Sequence, residues 1–204
     1  MKRMPNFKTL LAIALFIPSA VALLVTVACL PAPVGNPDTA KLDDALTGAW
    51  QAAPEPGKTD TAVALLRPYD AHTWFLQYLA TDKKDGKETV GILNCKAWLA
   101  TFGTTTFICC ESLDNADFLP GVEKDKTYFL AKLDRQGNKL TLSPVNDSSE
   151  LLKNAKTQDA IEAVLKANAN NKDLYADPIT FNKLDKDHLQ IVNELRSKAN
   201  LGIK

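Results

Sequence analysis

The chain has 204 residues, with 24 Lys and Arg against 24 Asp and Glu, so its formal net charge is zero. This length fits one ordinary domain with short appendages. The balanced charge excludes a surface built for electrostatic binding of nucleic acid, and a hydrophobic share of 46% excludes wholesale disorder.

The first part of the chain has the pattern of a secretory signal, because three basic residues precede an apolar run over residues 9–27. The end of that run, Thr26-Val27-Ala28-Cys29, resembles a bacterial lipobox, in which small residues precede a cysteine that is lipidated and becomes the mature N-terminus. The resemblance implies lipidation of Cys29, for example with palmitate, and a membrane partner held through this lipid anchor.

The lipobox resemblance divides the chain into a signal peptide at 1–28, a Pro-rich flexible tether at 29–41 and a folded domain at 42–204. It implies a location in the cell envelope, lipid-anchored outside the cytoplasm. Leu30 stands where Asp commonly signals inner-membrane retention, which predicts the outer membrane in a Gram-negative cell. The alternative is an uncleaved transmembrane anchor over residues 9–30, which are numerous enough to span a bilayer.

Short strands separated by turns dominate the middle of the chain. Runs of β-branched and aromatic residues predict seven or eight antiparallel strands, with tight turns at Gly103 and Gly137. The clearest strand segments are 63–67, 72–81, 88–100, 104–111, 127–134, 140–143 and 178–184.

Helical patterns appear late in the sequence. The capping box over residues 147–150 predicts a helix that begins before Leu151, and Thr157 begins a second one. Apolar residues at helical spacing predict a last helix over residues 187–200. The predicted fold is therefore mainly β with helices. It is a small antiparallel barrel or strongly curved sheet, with two helices inserted before the last strand and a C-terminal helix.

The order of these features resembles small lipocalin-like bacterial lipoproteins of uncharacterised function. The resemblance rests on Gly48-Ala49-Trp50, which is similar to the Gly-x-Trp opening of lipocalin barrels, and on the hairpin over residues 99–108. It implies that Trp50 packs across one end of the barrel. Lys183 on the last strand takes the place of the Arg that covers this Trp in lipocalins.

Catalytic motifs are missing from the sequence. His72 and His188 are the only histidines, and the chain contains neither a Gly-x-Ser-x-Gly elbow nor a His-Glu-x-x-His helix. We therefore expect a protein that is not an enzyme and that uses no cofactor and no metal.

The three cysteines beyond Cys29 leave two interpretations open. A hairpin turn at 102–103 places Cys95 opposite Cys110 and allows a disulfide between them. A turn at 103–104 suits the Gly better and places these cysteines only diagonally, which favours buried thiols at Cys95, Cys109 and Cys110.

The apolar residues on both faces of the strands predict a filled or nearly filled barrel whose outer face is covered, in part by the helices. The functional hypothesis is a non-catalytic binding or interaction module that uses the loops at 52–60 and 115–126. One alternative is a carrier of a small apolar molecule such as a fatty acid. Another is an inhibitor or accessory subunit of an envelope enzyme, with an unknown protein partner.

Lipidation can be tested at one position. The Cys29→Ala variant should lose labelling by a fatty-acid probe, because no other cysteine follows the apolar run directly. Envelope fractions labelled with an alkyne-bearing fatty acid would show the loss. Retained labelling, or a mature protein that still begins at Met1, would favour the transmembrane anchor.

Overall fold

The computed structural model describes residues 30–54, 60–84, 87–113, 128–185 and 189–201. The predicted signal peptide, Cys29 and His188 lie outside these residues. Within the described part, no helix combines the length and the apolar character needed to cross a bilayer.

Eight strands form one closed antiparallel barrel with up-and-down connectivity. Each strand pairs with the next along the chain, and the last strand closes the barrel on the first through the pairs Trp50↔Lys183 and Ala52↔Phe181. The predicted mainly β fold with helices is confirmed. The strands are β1 (Gly48–Ala52), β2 (Ala62–Pro68), β3 (Trp74–Lys84), β4 (Lys87–Phe102), β5 (Thr105–Ser112), β6 (Tyr128–Gln136), β7 (Lys139–Pro144) and β8 (Ile179–Lys183).

Two α-helices flank the closing strand in sequence, α1 (Gln158–Asn168) before β8 and α2 (Gln190–Leu201) after it. The predicted cap at Thr157 is present, since its hydroxyl accepts a hydrogen bond from the N–H of Ala160. Short 3-10 turns lie at Asp44–Leu46 and Lys172–Leu174.

The first of the two predicted inserted helices does not form. Residues 147–154 instead make successive turns. The N–H of Ser149 donates a hydrogen bond to the carbonyl oxygen of Asn146, and the N–H of Leu152 donates one to the carbonyl oxygen of Ser149. The segment before the cap at Thr157 is too short to offset the cost of helix nucleation. Burial of Leu152 against the barrel fixes it as turns.

The hairpin between β4 and β5 has the register in which the turn lies at residues 103–104. Gly103 has φ of +62°, and the flanking pair is Phe102↔Thr105. Gly adopts this conformation without the steric cost that Phe would meet. Of the two registers that the sequence leaves open, the structure therefore has the one that separates Cys95 from Cys110.

Three hydrophobic clusters hold the fold together. One contains residues from alternate positions of all eight strands and is therefore the barrel interior. A second lies on the outer face of β4, β5 and β6, where residues from α1 and the N-terminal segment join it. The third lies on the outer face of β1 to β4 under Val192 and Leu195 of α2. As predicted, the strands are covered on both faces, with helices on the outside.

The segment predicted as a flexible tether is packed against the barrel from Leu30 onward. We call residues 30–43 the strap. Leu30 and Val34 are only 2% and 0% exposed, and the indole N–H of Trp98 donates to the carbonyl oxygen of Val34 at 2.8 Å. The tether prediction is wrong for these residues, because apolar side chains between the prolines find a hydrophobic face on the sheet.

Gly35 allows the strap to lie close to the wall. Its φ is +75°, and a Cβ at this position would lie 2.7 Å from the Cβ of Ala100. The backbone of Gly35 is also fixed to α1, because its N–H donates to Glu162 Oε1 at 3.1 Å and its carbonyl accepts from Gln158 Nε2 at 2.9 Å. Glycine is the one amino-acid type that adopts this positive φ without strain and has no Cβ to clash with Ala100.

Replacement of Gly35 should therefore destabilise the domain more than replacement of a matched glycine. In Gly103→Ala, the added Cβ meets no atom within 4 Å, and the only cost is that of holding an alanine at a positive φ. We therefore expect this variant to lose about 1–2 kcal/mol in the free energy of unfolding. Gly35→Ala adds the overlap with Ala100 and should cost about 1–3 kcal/mol more. Urea unfolding of the two variants measures the difference, and equal losses would contradict the packed strap.

Candidate functional site

One end of the barrel is sealed around Trp50. This residue is fully buried, and its indole N–H donates to the carbonyl oxygen of Leu46 at 2.8 Å. The ammonium group of Lys183 lies 5.2 Å from the centre of the Trp50 ring and donates to the carbonyl oxygen of Ala45 at 2.7 Å. The structure thus brings the two predicted barrel-closing residues together. We call this end the closed end.

The closed end also contains a second buried tryptophan. The indole N–H of Trp74 donates to Thr47 Oγ1 at 3.3 Å, and Leu46 packs into the interior from the 3-10 turn. Both indoles thus have partners within the protein. These two tryptophans are structural, because a hydrogen-bonded and fully buried indole has no group left for a ligand.

The opposite end of the barrel, which we call the distal end, has small side chains on adjacent strands. Ala62 pairs with Ala80, and Ala80 pairs with Gly91. Ala52 at the end of β1 packs against the same interior cluster. Small side chains therefore occupy inward positions on four neighbouring strands at this end, beside larger ones such as Phe129 and Ile179.

Several inward-facing side chains retain partial exposure. In a closed barrel, such exposure can only arise towards space inside the barrel or at its ends. Ala131 is one case, and it pairs with Ile108 of β5 and with Pro144, the last residue of β7. The others are apolar residues from six strands: Ala52, Leu76, Leu93, Leu99, Phe129, Leu133, Leu142 and Ile179. The interior therefore has an apolar lining that is accessible in part.

The loops predicted to bind, at 52–60 and 115–126, both connect strands at the distal end. The first follows β1, and the second lies between β5 and β6. The topology thus brings the ends of the two predicted loops to one side of the barrel. Most of residues 52–60 and all of residues 115–126 lie outside the described part of the chain.

Of the two interpretations for the cysteines, the structure has the buried thiols, at Cys95, Cys109 and Cys110, and not the possible Cys95–Cys110 disulfide. In the observed register Cys95 lies opposite Ser112, and Cys110 lies opposite Ala97. Diagonal neighbours of this kind are about 7 Å apart, beyond the usual Cα separation of a disulfide. Burial raises the pKa of the Cys109 thiol to about 12 and also raises that of Cys110.

A groove of about 750 Å³ runs beside the strap at the closed end. Leu99 and Leu133 line it from the barrel wall, while Gln158 and Glu162 line it from α1. Burial tends to raise the pKa of Glu162, but hydrogen bonds from Gln158, Gly35 and Lys166 outweigh it and hold the pKa below its usual value. Glu162 is therefore a carboxylate that fixes the strap to the helix.

His72, the one histidine among the described residues, contacts the strap. His72 Nδ1 lies 2.9 Å from the carbonyl oxygen of Ala40 and joins the strap to the turn before β3. Within the described ranges, no three His, Cys, Asp or Glu side chains meet in a cluster that could hold a metal ion. Neither the strap nor the groove beside it was expected from the sequence, in which only the apolar residues between the prolines gave a signal.

Comparison with protein families, with curated proteins and with solved structures gives no match to this chain.

Trp50 should carry much of the stability of the closed end. Trp50→Ala removes a fully buried ring and its hydrogen bond, so we expect a loss of about 3–5 kcal/mol in the free energy of unfolding. Tyr69→Ala is the matched control, because that ring is 59% exposed and should cost less than about 0.5 kcal/mol. Similar values for the two variants in chemical denaturation would refute the sealed end.

The buried thiols should resist alkylation while the protein is folded. In the Cys29→Ala chain at pH 8, Cys109 and Cys110 should react with iodoacetamide only after unfolding in urea, because burial keeps them protonated. Mass spectrometry of the modified peptides measures this. Since folding raises both pKa values, their contribution to stability is full below about pH 8.5 and falls as the pH rises towards 12. Rapid native alkylation would contradict this.

Proposed function

We propose that the protein is an envelope lipoprotein whose barrel is a non-catalytic module that binds a small apolar molecule. The observation that carries this proposal is the apolar lining with partly exposed side chains, including Ala131 of β6. A pocket of this kind gains affinity from removing apolar surface from water. The lipid anchor at Cys29 is supported by the lipobox resemblance alone.

The absence of catalysis is also part of the proposal. A catalytic thiol needs a lowered pKa and an accessible sulfur, whereas burial raises the pKa of Cys109 and Cys110. His72 is engaged with the backbone of the strap rather than with a nucleophile among the described residues. These groups support a structural role for the titratable side chains in and around the barrel.

The chemistry of the lining defines the ligand class. The partly exposed members of the interior hydrophobic cluster are aliphatic or phenyl side chains, which offer no hydrogen bonds. We therefore expect an acyl chain or a similar apolar group to lie in the barrel, with any polar end at the distal end of the barrel. A charged or sugar-like ligand would lose its hydration without gaining partners.

A filling substitution tests this binding directly. Ala131→Phe places a ring at a partly exposed position of the apolar lining and should weaken binding of a fluorescent fatty acid at least tenfold. Thr141→Phe, on the alternate face of the adjacent β7, is the matched control and should leave affinity within twofold. Fluorescence titration of the purified proteins measures both, after urea unfolding has shown that both variants fold.

Native mass spectrometry of the unsubstituted protein provides an independent test. A stoichiometric apolar molecule that co-purifies with it and is absent from Ala131→Phe would support the proposal. Equal binding by all three proteins, or no binding by any of them, would refute carriage in the barrel. If none of the proteins binds, crosslinking in the envelope would test for a protein partner.

A further inference from the structure

We infer that the barrel stands on the membrane with its distal end against the bilayer, so that the end of its interior with small side chains on neighbouring strands faces lipid. This inference rests on the proposed anchoring through Cys29. It adds a surface, an orientation and a partner of stated chemistry, namely the surface of a lipid bilayer.

The strap leaves no free chain between the anchor and the barrel wall. The N–H of Leu30 donates to the carbonyl oxygen of Tyr128 at 2.8 Å, and the two residues form an antiparallel bridge. Leu30 is itself buried in the outer cluster. Consecutive Cα atoms are about 3.8 Å apart, so an acyl group on Cys29 would begin within one residue of the barrel.

This attachment point lies at the distal end. Tyr128 is the first residue of β6 and pairs with Glu111, close to the end of β5. From Leu30 the strap crosses the outer face of the sheet away from this end. The carbonyl oxygen of Val34 accepts a hydrogen bond from Trp98, and Gly35 lies against Ala100, which is nearer the closed end of β4. The strap therefore cannot act as a spacer, and the anchor holds the distal end at the membrane.

An exposed leucine lies at the same end. Leu113 follows β5 directly, its N–H donates to the carbonyl oxygen of Asn94, and its side chain is 47% exposed. A single exposed leucine is ordinary on a protein surface. Its position two residues beyond Glu111, the partner of Tyr128, places it where a bilayer held by the anchor would cover it.

This orientation has a consequence for ligand exchange. An apolar molecule in the bilayer could enter the barrel through the distal end without a step through water. Transfer through water would cost free energy in proportion to the apolar area exposed. The closed end, sealed by Trp50 and Lys183, would then face away from the membrane.

Two spin-labelled variants test the orientation in the acylated full-length protein, reconstituted in phosphatidylcholine vesicles. Leu113→Cys reports on the distal end, and Tyr69→Cys, also at an exposed hydrophobic residue, reports on the closed end. Acylation leaves no thiol at Cys29, and the unsubstituted protein labelled in parallel gives the background from the buried cysteines. We expect the label at 113 to be several-fold less accessible to a water-soluble nickel relaxant and several-fold more accessible to oxygen than the label at 69.

A linker variant separates the role of the strap from that of the surface. Fifteen Gly and Ser residues inserted between Cys29 and Leu30 add an average reach of about 20 Å. The label at 113 should then regain access to nickel, and continued shielding would overturn the inference that the short attachment sets the orientation.

The outcomes also separate this inference from the proposed function. Mass spectrometry first establishes whether the vesicle-bound protein carries the acyl group, and its absence would remove both the proposed anchoring and the orientation. Equal accessibility of the two labels in an acylated protein would overturn the orientation alone.

Discussion

The two-sided burial of the strands is the constraint on which the rest of the structure depends. A closed barrel buries one face of each strand by itself, but here the outer faces of β1 to β6 are also apolar. Those faces need covers, which the strap, α1 and α2 supply. The positions of the helices therefore follow from the composition of the sheet, because uncovered apolar strands would expose large patches to water.

The strap connects regions of the protein that are far apart in sequence. It is hydrogen-bonded to Tyr128 at the distal end and to Glu162 of α1 at Gly35. Further along, the carbonyl oxygen of Ala40 lies within hydrogen-bond distance of His72, in the turn before β3. The following 3-10 turn then supplies the carbonyl groups that bond Trp50 and Lys183. One continuous segment covers the outer face of the sheet and leads into the closed end. A substitution that displaces the strap at Gly35 should therefore destabilise both the outer hydrophobic cluster and the closed end.

The interior differs along the barrel axis in a way that suits a binding module. At the closed end, the large rings of Trp50 and Trp74 are buried and hydrogen-bonded, so the space is occupied. At the distal end, the inward positions of β2, β3 and β4 hold Ala62, Ala80 and Gly91. Partly exposed leucines occur along the whole axis, since Leu93 lies towards the distal end whereas Leu99 and Leu133 line the groove at the closed end. For the proposed binding of an apolar molecule, the small side chains would favour entry from the distal end.

The sequence by itself determined the features that depend on local chemistry. Turn residues, β-branched runs and the cap at Thr157 specified the strands and two of the three predicted helices. Apolar residues on both faces of the strands specified burial on both sides. The Gly-x-Trp resemblance placed Trp50 and Lys183 near each other, which the structure also does. Only the tertiary structure decided the register of the β4–β5 hairpin, the turns after Asn146 and the packing of Leu30 and Val34. These features depend on contacts between residues distant in the chain: Gly35 against Ala100, or Leu30 against Tyr128, is invisible in a local pattern and is fixed only when the sheet has closed.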